Sequence, residues 1–132
     1  MIGLDTNVII RYMTQDDPTQ AKTASDFIEK NCSEESPGYI CHIVLCEISW
    51  VLESNYGLDK ESIIQVIEEL LQINQITIPQ PETVWRALND YKNSNADFSD
   101  HLIAGTNFTN GCKNTVTFDK KAGKQSLFQL LK

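Results

Sequence analysis

Short apolar runs alternate with longer segments of helical periodicity along the chain, and this alternation constrains the fold more than any other feature. The strand-like runs cover residues 1–4, 38–40, 76–78 and 115–118. Between them, apolar residues recur at spacings of three and four, as in amphipathic helices. Strands that alternate with helices usually form a parallel sheet covered by helices. The sequence therefore predicts an α/β fold of three layers, α/β/α, with a short central parallel sheet.

Prolines and capping side chains indicate where the helices begin. Pro18 and Pro81 suit first helical positions, whereas Thr6 or Asn7 is expected to cap the first helix and Ser99 the last. We predict six helices, over residues 8–13, 18–30, 42–54, 60–73, 81–91 and 100–110. A helical turn is expected near 120–123, and the segment 127–131 fits either an edge strand or another helical turn.

Length and composition favour one ordinary folded domain. The chain has 132 residues, of which 41% are hydrophobic and 22% charged, so we expect a single domain over residues 1–132. Neither a leader peptide nor an apolar run near the roughly 20 residues that span a bilayer is evident, which predicts a cytoplasmic protein without membrane association. The four cysteines should be free thiols, with Cys41, Cys46 and Cys112 as small core residues.

Five carboxylates lie where one element gives way to the next or within an apolar helical stretch: Asp5, Glu47, Asp97, Asp100 and Asp119. Asp5 and Asp119 each follow a strand-like run, and sites in parallel sheets form beyond the carboxyl ends of the strands. Asp97 and Asp100 are three residues apart, which places them on one side of a first helical turn. We therefore expect folding to gather all five acids in one pocket.

A divalent cation would compensate acids placed in this way. Carboxylates are costly at strand ends and on apolar faces unless something balances their charge, and hard oxygen ligands suit Mg²⁺ and Mn²⁺. Such a centre can activate water and stabilise charge on a phosphate, which indicates an enzyme acting on phosphodiesters. Each acid alone also fits a cap, a turn or an exposed helix position. The hypothesis therefore depends on their joint placement.

Neighbouring polar residues extend this hypothesis. Thr6, Asn7 and Thr117 are candidates to orient carboxylates through hydrogen bonds, although ordinary capping or strand packing explains them equally well. His101 is expected to be a surface helix residue rather than a base.

The charge of the chain bears on its partners. A net charge of −7 argues against general affinity for nucleic acid. Four lysines near Asp119 could nevertheless form a local basic rim for a polyanion, or simply a solvated helix face: Lys113, Lys120, Lys121 and Lys124.

The acidic segments resemble the motifs of a known family. In chain order they are LDTNVIIR at 4–11, VLCEISWVL at 44–52, ADFSDHLIA at 96–104 and TFD at 117–119. The chain resembles the PIN domain, and specifically the VapC-type ribonuclease toxins of bacterial and archaeal toxin–antitoxin pairs. The resemblance covers almost the whole chain, with the four motifs in the family's order.

This resemblance implies a metal-dependent endoribonuclease that hydrolyses RNA with Mg²⁺ or Mn²⁺. Asp5 and Asp100 would be the main metal ligands, and Asp97 and Asp119 further ligands. Together with Glu47, three of these acids form the expected catalytic set, which is Asp5, Glu47, Asp100 and Asp119.

The resemblance also implies partners and contacts outside the acidic set. It implies a PIN-like fold, a homodimer, an RNA substrate and inhibition by a cognate antitoxin protein. Arg11, Lys120 and Lys121 would be candidates for phosphate contact.

Two other function classes compete with this interpretation. One is a catalytically silent module of the same fold that binds RNA or protein without cleavage. The other is a Mg²⁺-dependent phosphoacceptor similar to response-regulator receivers, for which Asp16 and Asp17 would be the paired acids. The second fits poorly, because these two acids precede Pro18 at a helix start instead of ending a strand.

Overall fold

A computed structural model describes residues 1–132, which fold into six α-helices and five short strands. In chain order the elements are β1 (Ile2–Gly3), α1 (Thr6–Thr14), α2 (Pro18–Asn31), β2 (Gly38–Tyr39), α3 (His42–Ser54), α4 (Lys60–Gln72), β3 (Ile76–Thr77), α5 (Pro81–Lys92), α6 (Phe98–Thr109), β4 (Thr115–Thr117) and β5 (Phe128–Leu130). They form two compact units, an N-terminal unit of residues Met1–Pro79 and a C-terminal unit of residues Gln80–Lys132.

The N-terminal unit is built on a parallel sheet with the strand order β1-β2-β3. Its central strand begins at Gly38, where a Cβ atom would lie only 2.5 Å from Leu4 Cδ1. An L side chain there would have to displace the buried side chain of Leu4, so this position favours glycine.

Helix α1 packs against both α2 and α3, and α3 packs against α4. Their inward faces supply the fully buried aliphatic residues of this unit, each of which stabilises the fold by roughly 1.5–3 kcal/mol. These residues include Ile9, Ile28, Leu45, Ile48, Leu52, Ile63, Ile67 and Leu70.

The C-terminal unit combines a helical hairpin with a two-stranded parallel sheet. Helix α5 packs along α6, and the rings of Tyr91 and Phe98 lie 6.1 Å apart at the junction. Strand β4 pairs with β5 from Thr115↔Phe128 to Thr117↔Leu130. A 3₁₀ turn, Ala122–Lys124, lies between the two strands and packs on β5.

The predicted α/β fold with short parallel strands is confirmed, but the strands form two sheets instead of one central sheet. Strand β4 pairs with the tail of the chain, whose sequence fits either a strand or a helical turn. The tail is a strand because the backbone of Thr115–Thr117 offers it a complete ladder of partners.

Two of the predicted helix caps are wrong by a few residues. Asp5 rather than Thr6 or Asn7 caps α1, and Asp97 rather than Ser99 precedes α6 as its N-cap residue. In each case a carboxylate lies at the first extended position before the helix, where it can accept from the unpaired N–H groups of the first turn.

Several burial predictions also need correction. Cys112 is exposed, Cys41 and Cys46 are half-buried, and Cys32 is the buried thiol. His101, expected at the surface, is only 3% exposed. No helix of the structure combines the length and the apolar character that crossing a lipid bilayer requires.

Candidate active site

In the N-terminal unit, Asp5 lies where β1 gives way to α1. Its Oδ1 atom accepts a hydrogen bond of 2.8 Å from the N–H of Thr6, so the carboxylate both caps the helix and benefits from its positive end. The strand direction explains this placement, because Asp5 follows the carboxyl end of β1, where sites in parallel sheets form.

Glu47 lies on α3, and its partner is also Thr6. The Thr6 hydroxyl donates to Glu47 Oε1 at 2.6 Å, across 41 positions of sequence. Thr6, which is buried, therefore holds both acids: its N–H donates to Asp5 and its hydroxyl donates to Glu47. Asp5, Glu47 and Asn7 line one open depression of about 330 Å³.

In the C-terminal unit, Asp97, Asp100 and Asp119 line a second depression, of about 410 Å³. The N–H of Asp97 donates to Asp100 Oδ2 at 3.3 Å, as in the reciprocal capping that opens many helices. Asp119 follows β4, and its Oδ1 atom accepts from the N–H groups of Lys121 (2.8 Å) and Ala122 (3.0 Å).

The carboxyl group of Asp100 has a displaced pKa. Partial burial raises the pKa of Asp100 above its ordinary value of 3.8, and the charges of Asp97 and Asp119 raise it further. The Asp97 N–H and the nearby His101 oppose this rise without cancelling it. Asp97 and Asp119 are therefore each close enough to Asp100 to repel its carboxylate.

These carboxylates have the chemistry of a hard-cation site. They present oxygen donors only, and the ion pairs on the protein surface join other acids, namely Asp16, Asp26 and Asp90. No group of three or more His, Cys, Asp or Glu side chains in the structure is arranged so that it could hold a metal ion. Each unit thus offers an incomplete set of ligands, of the type that Mg²⁺ and Mn²⁺ accept.

Two groups of the predicted site have partners that the sequence did not indicate. Thr117 accepts from the N–H of Asp119 at 3.0 Å, so it orients the backbone and not the carboxylate. Arg11 lines the N-terminal depression, but its Nη1 atom already pairs with Asp16 Oδ1 at 3.1 Å. Lys120 and Lys121 are exposed and line the C-terminal depression beside its three acids.

Sequence reasoning missed the polar support behind Asp97 and Asp100. The Nε2 atom of buried His101 lies 2.6 Å from Ser94 Oγ, which accepts from the N–H of Ala96 at 3.2 Å. This pair fixes the loop that leads into α6. Nothing in the spacing of His101 and Ser94 indicated their contact, which depends on how the loop turns back on the helix.

The chain is similar to known proteins over nearly its whole length. A family model described as PIN domain matches residues 2–125, a range that spans both units and includes all five acids. The chain is also 22% identical over 121 residues to a protein named VapC ribonuclease from Aquifex aeolicus (strain VF5), covering 92% of this chain and 89% of that protein. The chain belongs to the PIN domain family.

Proposed function

We propose that this chain is an endoribonuclease that hydrolyses RNA phosphodiester bonds with Mg²⁺ or Mn²⁺, as the toxin of a toxin–antitoxin pair. The family match and the VapC ribonuclease relative support the activity. The observation that carries the chemistry is the depression of the C-terminal unit, where Asp97 and Asp119 repel the carboxylate of Asp100 beside Lys120 and Lys121. An acidic group of this kind with adjacent cations suits a cation-assisted reaction on a phosphate.

The proposal takes the acids of both units as one functional set within a single functional domain, residues 1–132. Asp5 and Asp100 are the main ligands, and Asp97 and Asp119 complete the ligand set. When bound, the divalent cation would supply positive charge that makes water a better nucleophile and stabilises the leaving oxyanion.

The remaining groups position the reactants. Thr6 occupies Glu47 Oε1, which leaves Oε2 to accept a hydrogen bond from the attacking water. Lys120 and Lys121, which are exposed next to Asp119, would hold the phosphate against the acidic pocket. Both roles fit the chemistry of a phosphodiester, because its non-bridging oxygens need cations and its phosphorus needs an oriented nucleophile.

The proposal includes the biological setting that the VapC-type resemblance implies. The chain would act in the cytoplasm as a homodimer and would be inhibited by a cognate antitoxin protein. Light scattering of the purified chain, alone and with the product of a neighbouring reading frame, would measure both assemblies. A monomer that ignores every such product would contradict this part of the proposal.

RNA cleavage by paired variants tests the activity. We expect the wild type to cleave RNA with Mg²⁺ or Mn²⁺ and the Asp5→Asn variant to lose that activity. Asp26→Asn is the matched control, because it removes the same charge from an exposed ion pair with Lys22 in the same unit. Equal cleavage by the wild type and Asp5→Asn would reject the mechanism. RNA binding without cleavage under either ion would favour a silent binding module.

A further inference from the structure

Arg11 is held in place by a network of hydrogen bonds to which the proposed reaction assigns no role. Its Nε atom donates to Gln20 Oε1 at 2.7 Å. Its Nη1 atom donates to Asp16 Oδ1 at 3.1 Å and to the Tyr56 hydroxyl at 3.2 Å. These three partners lie on different segments of the N-terminal unit, so together they fix the plane of the guanidinium group.

Asp16 organises this network from an exposed position. Besides Arg11 it accepts hydrogen bonds of 2.8 Å from the hydroxyls of both Tyr56 and Thr14. The donors Tyr56 and Thr14, followed by Arg11, lower the pKa of Asp16 below its ordinary value. The carboxylate therefore stays charged wherever the protein would meet RNA, and it keeps Arg11 and Tyr56 together.

One nitrogen of Arg11 remains available. No hydrogen bond of the structure uses Nη2, and 32% of the side-chain surface is exposed. Arg11 and Tyr56 line the same depression as Asp5 and Glu47, in which Arg11 is the only cationic side chain. A polyanion that approaches the two acids there meets a single cation, already oriented by its neighbours.

We propose that Arg11 Nη2 binds a non-bridging phosphate oxygen of the RNA, and that Asp16 and Tyr56 are positioning residues that orient the guanidinium for this contact. The inference rests on the proposed function: it assigns a specific atom to the phosphate contact expected of Arg11, and it adds two residues that orient that atom. The observations that favour a phosphate contact are the unused Nη2 atom of Arg11 and its place in the depression that Asp5 and Glu47 also line.

The salt dependence of RNA binding tests the contact without relying on cleavage. Binding of an unstructured 20-nucleotide RNA would be measured by fluorescence anisotropy with Mg²⁺ at several salt concentrations, in an Asp100→Asn parent. Adding Arg11→Gln should raise the Kd about tenfold, as expected for one lost charge-assisted hydrogen bond. The slope of log K against log salt should also fall by about 0.7, the value for one phosphate on a single strand.

Lys22→Gln is the matched control for Arg11→Gln, because it removes one positive charge from an exposed pair with Asp26 in the same unit. It should leave the salt slope of the parent unchanged. A slope that Arg11→Gln does not alter, or a parent that binds no RNA, would overturn the inference. If the slope falls as expected but the wild type never cleaves RNA, the proposed function fails and the Arg11 contact stands.

Kinetics of otherwise wild-type protein separate positioning from stability. Tyr56→Phe removes one donor to Asp16 and one acceptor from Arg11 while leaving the charge unchanged. We expect KM to rise about three- to tenfold with kcat nearly constant, since a looser guanidinium weakens substrate binding alone. Arg11→Lys should keep the salt slope but show the same rise in KM, because an ammonium group lacks the planar fork. A fall in Tm with unchanged KM in both variants would reduce the network to a structural role and contradict the inference.

Discussion

The two acidic groups of this protein are stabilised in opposite ways. In the N-terminal unit, Asp5 and Glu47 each receive a short hydrogen bond from Thr6, at 2.8 and 2.6 Å. In the C-terminal unit, Asp100 receives only a longer bond of 3.3 Å, from Asp97, and its pKa is raised by burial and by neighbouring charge. Both acids of the first group are compensated by Thr6, whereas Asp100 in the second retains repulsion, although Asp119 there accepts two hydrogen bonds from N–H groups.

This difference predicts that the two acidic groups contribute differently to function. A carboxylate that already accepts hydrogen bonds is oriented before any ligand arrives. A carboxylate whose charge is disfavoured gains more from a cation, because the cation removes both the repulsion and part of the desolvation penalty. We therefore expect Asp100 to contribute more to cation affinity than Glu47, and the Thr6-linked acids, including the ligand Asp5, to be oriented before the cation binds.

The largest effect is expected from Asp100→Asn. The substitution keeps a side-chain oxygen for the Asp97 N–H but removes the charge, so RNA cleavage should fall about 100- to 1,000-fold. Asp90→Asn is the matched control, because Asp90 belongs to the same unit and pairs loosely with Arg86 at 4.0 Å. Cleavage by Asp100→Asn within twofold of wild type would contradict a role for the Asp100 charge in the reaction.

A smaller loss is expected from Thr6→Val, which removes the hydroxyl on Glu47 Oε1 while keeping the N–H on Asp5. Losing a side chain that orients a catalytic group typically costs about 10- to 100-fold in activity. Thr6→Ser restores the hydroxyl and should recover most of the rate. If Val and Ser variants are equally active, the Thr6–Glu47 bond has no part in orienting the acid.

Thermal unfolding in Mn²⁺ measures the cation directly. Binding to the folded state alone stabilises wild type by about 2.7 kcal/mol when the ion reaches 100 times its Kd. We expect the Tm rise with Mn²⁺ to be nearly absent in Asp100→Asn and only reduced in Glu47→Gln. Equal loss in the two variants would show that the two acidic groups contribute equally to cation affinity.

The smallest effect is expected in the pH dependence of stability without divalent ions. Because the folded-state pKa of Asp100 is raised, the folded protein binds more protons there, and wild type loses stability as pH rises from 3.8 through that higher pKa. Asp100→Asn should therefore be more stable than wild type at pH 7, by an amount that vanishes below pH 3.8.

The pH dependence of stability expected from Asp16 has the opposite sign, so Asp16→Asn serves as the reference variant. Its pKa is lowered in the folded state, so its contribution is present above pH 3.8 and is lost as pH falls through the folded pKa. Asp16→Asn should be less stable than wild type at pH 7, and the difference should shrink in acid. Chemical denaturation at a series of pH values measures both variants. A loss of stability at pH 7 in Asp100→Asn would contradict the repulsion inferred for the C-terminal acids.

Local chemistry made much of the fold predictable. Pro18 and Pro81 begin α2 and α5 as expected, and Asp59 caps α4 through the N–H of Ser62 at 2.9 Å. The cap predictions failed at α1 and α6 for a related reason. The sequence predicts Asp5 and Asp97 as members of the functional set, and the same carboxylates also serve as N-cap residues.

The sequence by itself determined the helices, the parallel strands and the identity of the acids, because prolines, caps and apolar spacing act over a few neighbouring residues. Only the tertiary structure decided that Thr6 holds Glu47, that His101 is buried against Ser94 and that Arg11 is fixed by Asp16 and Tyr56. Such contacts join residues that no local pattern relates, and they exist only after packing places their helices and loops side by side.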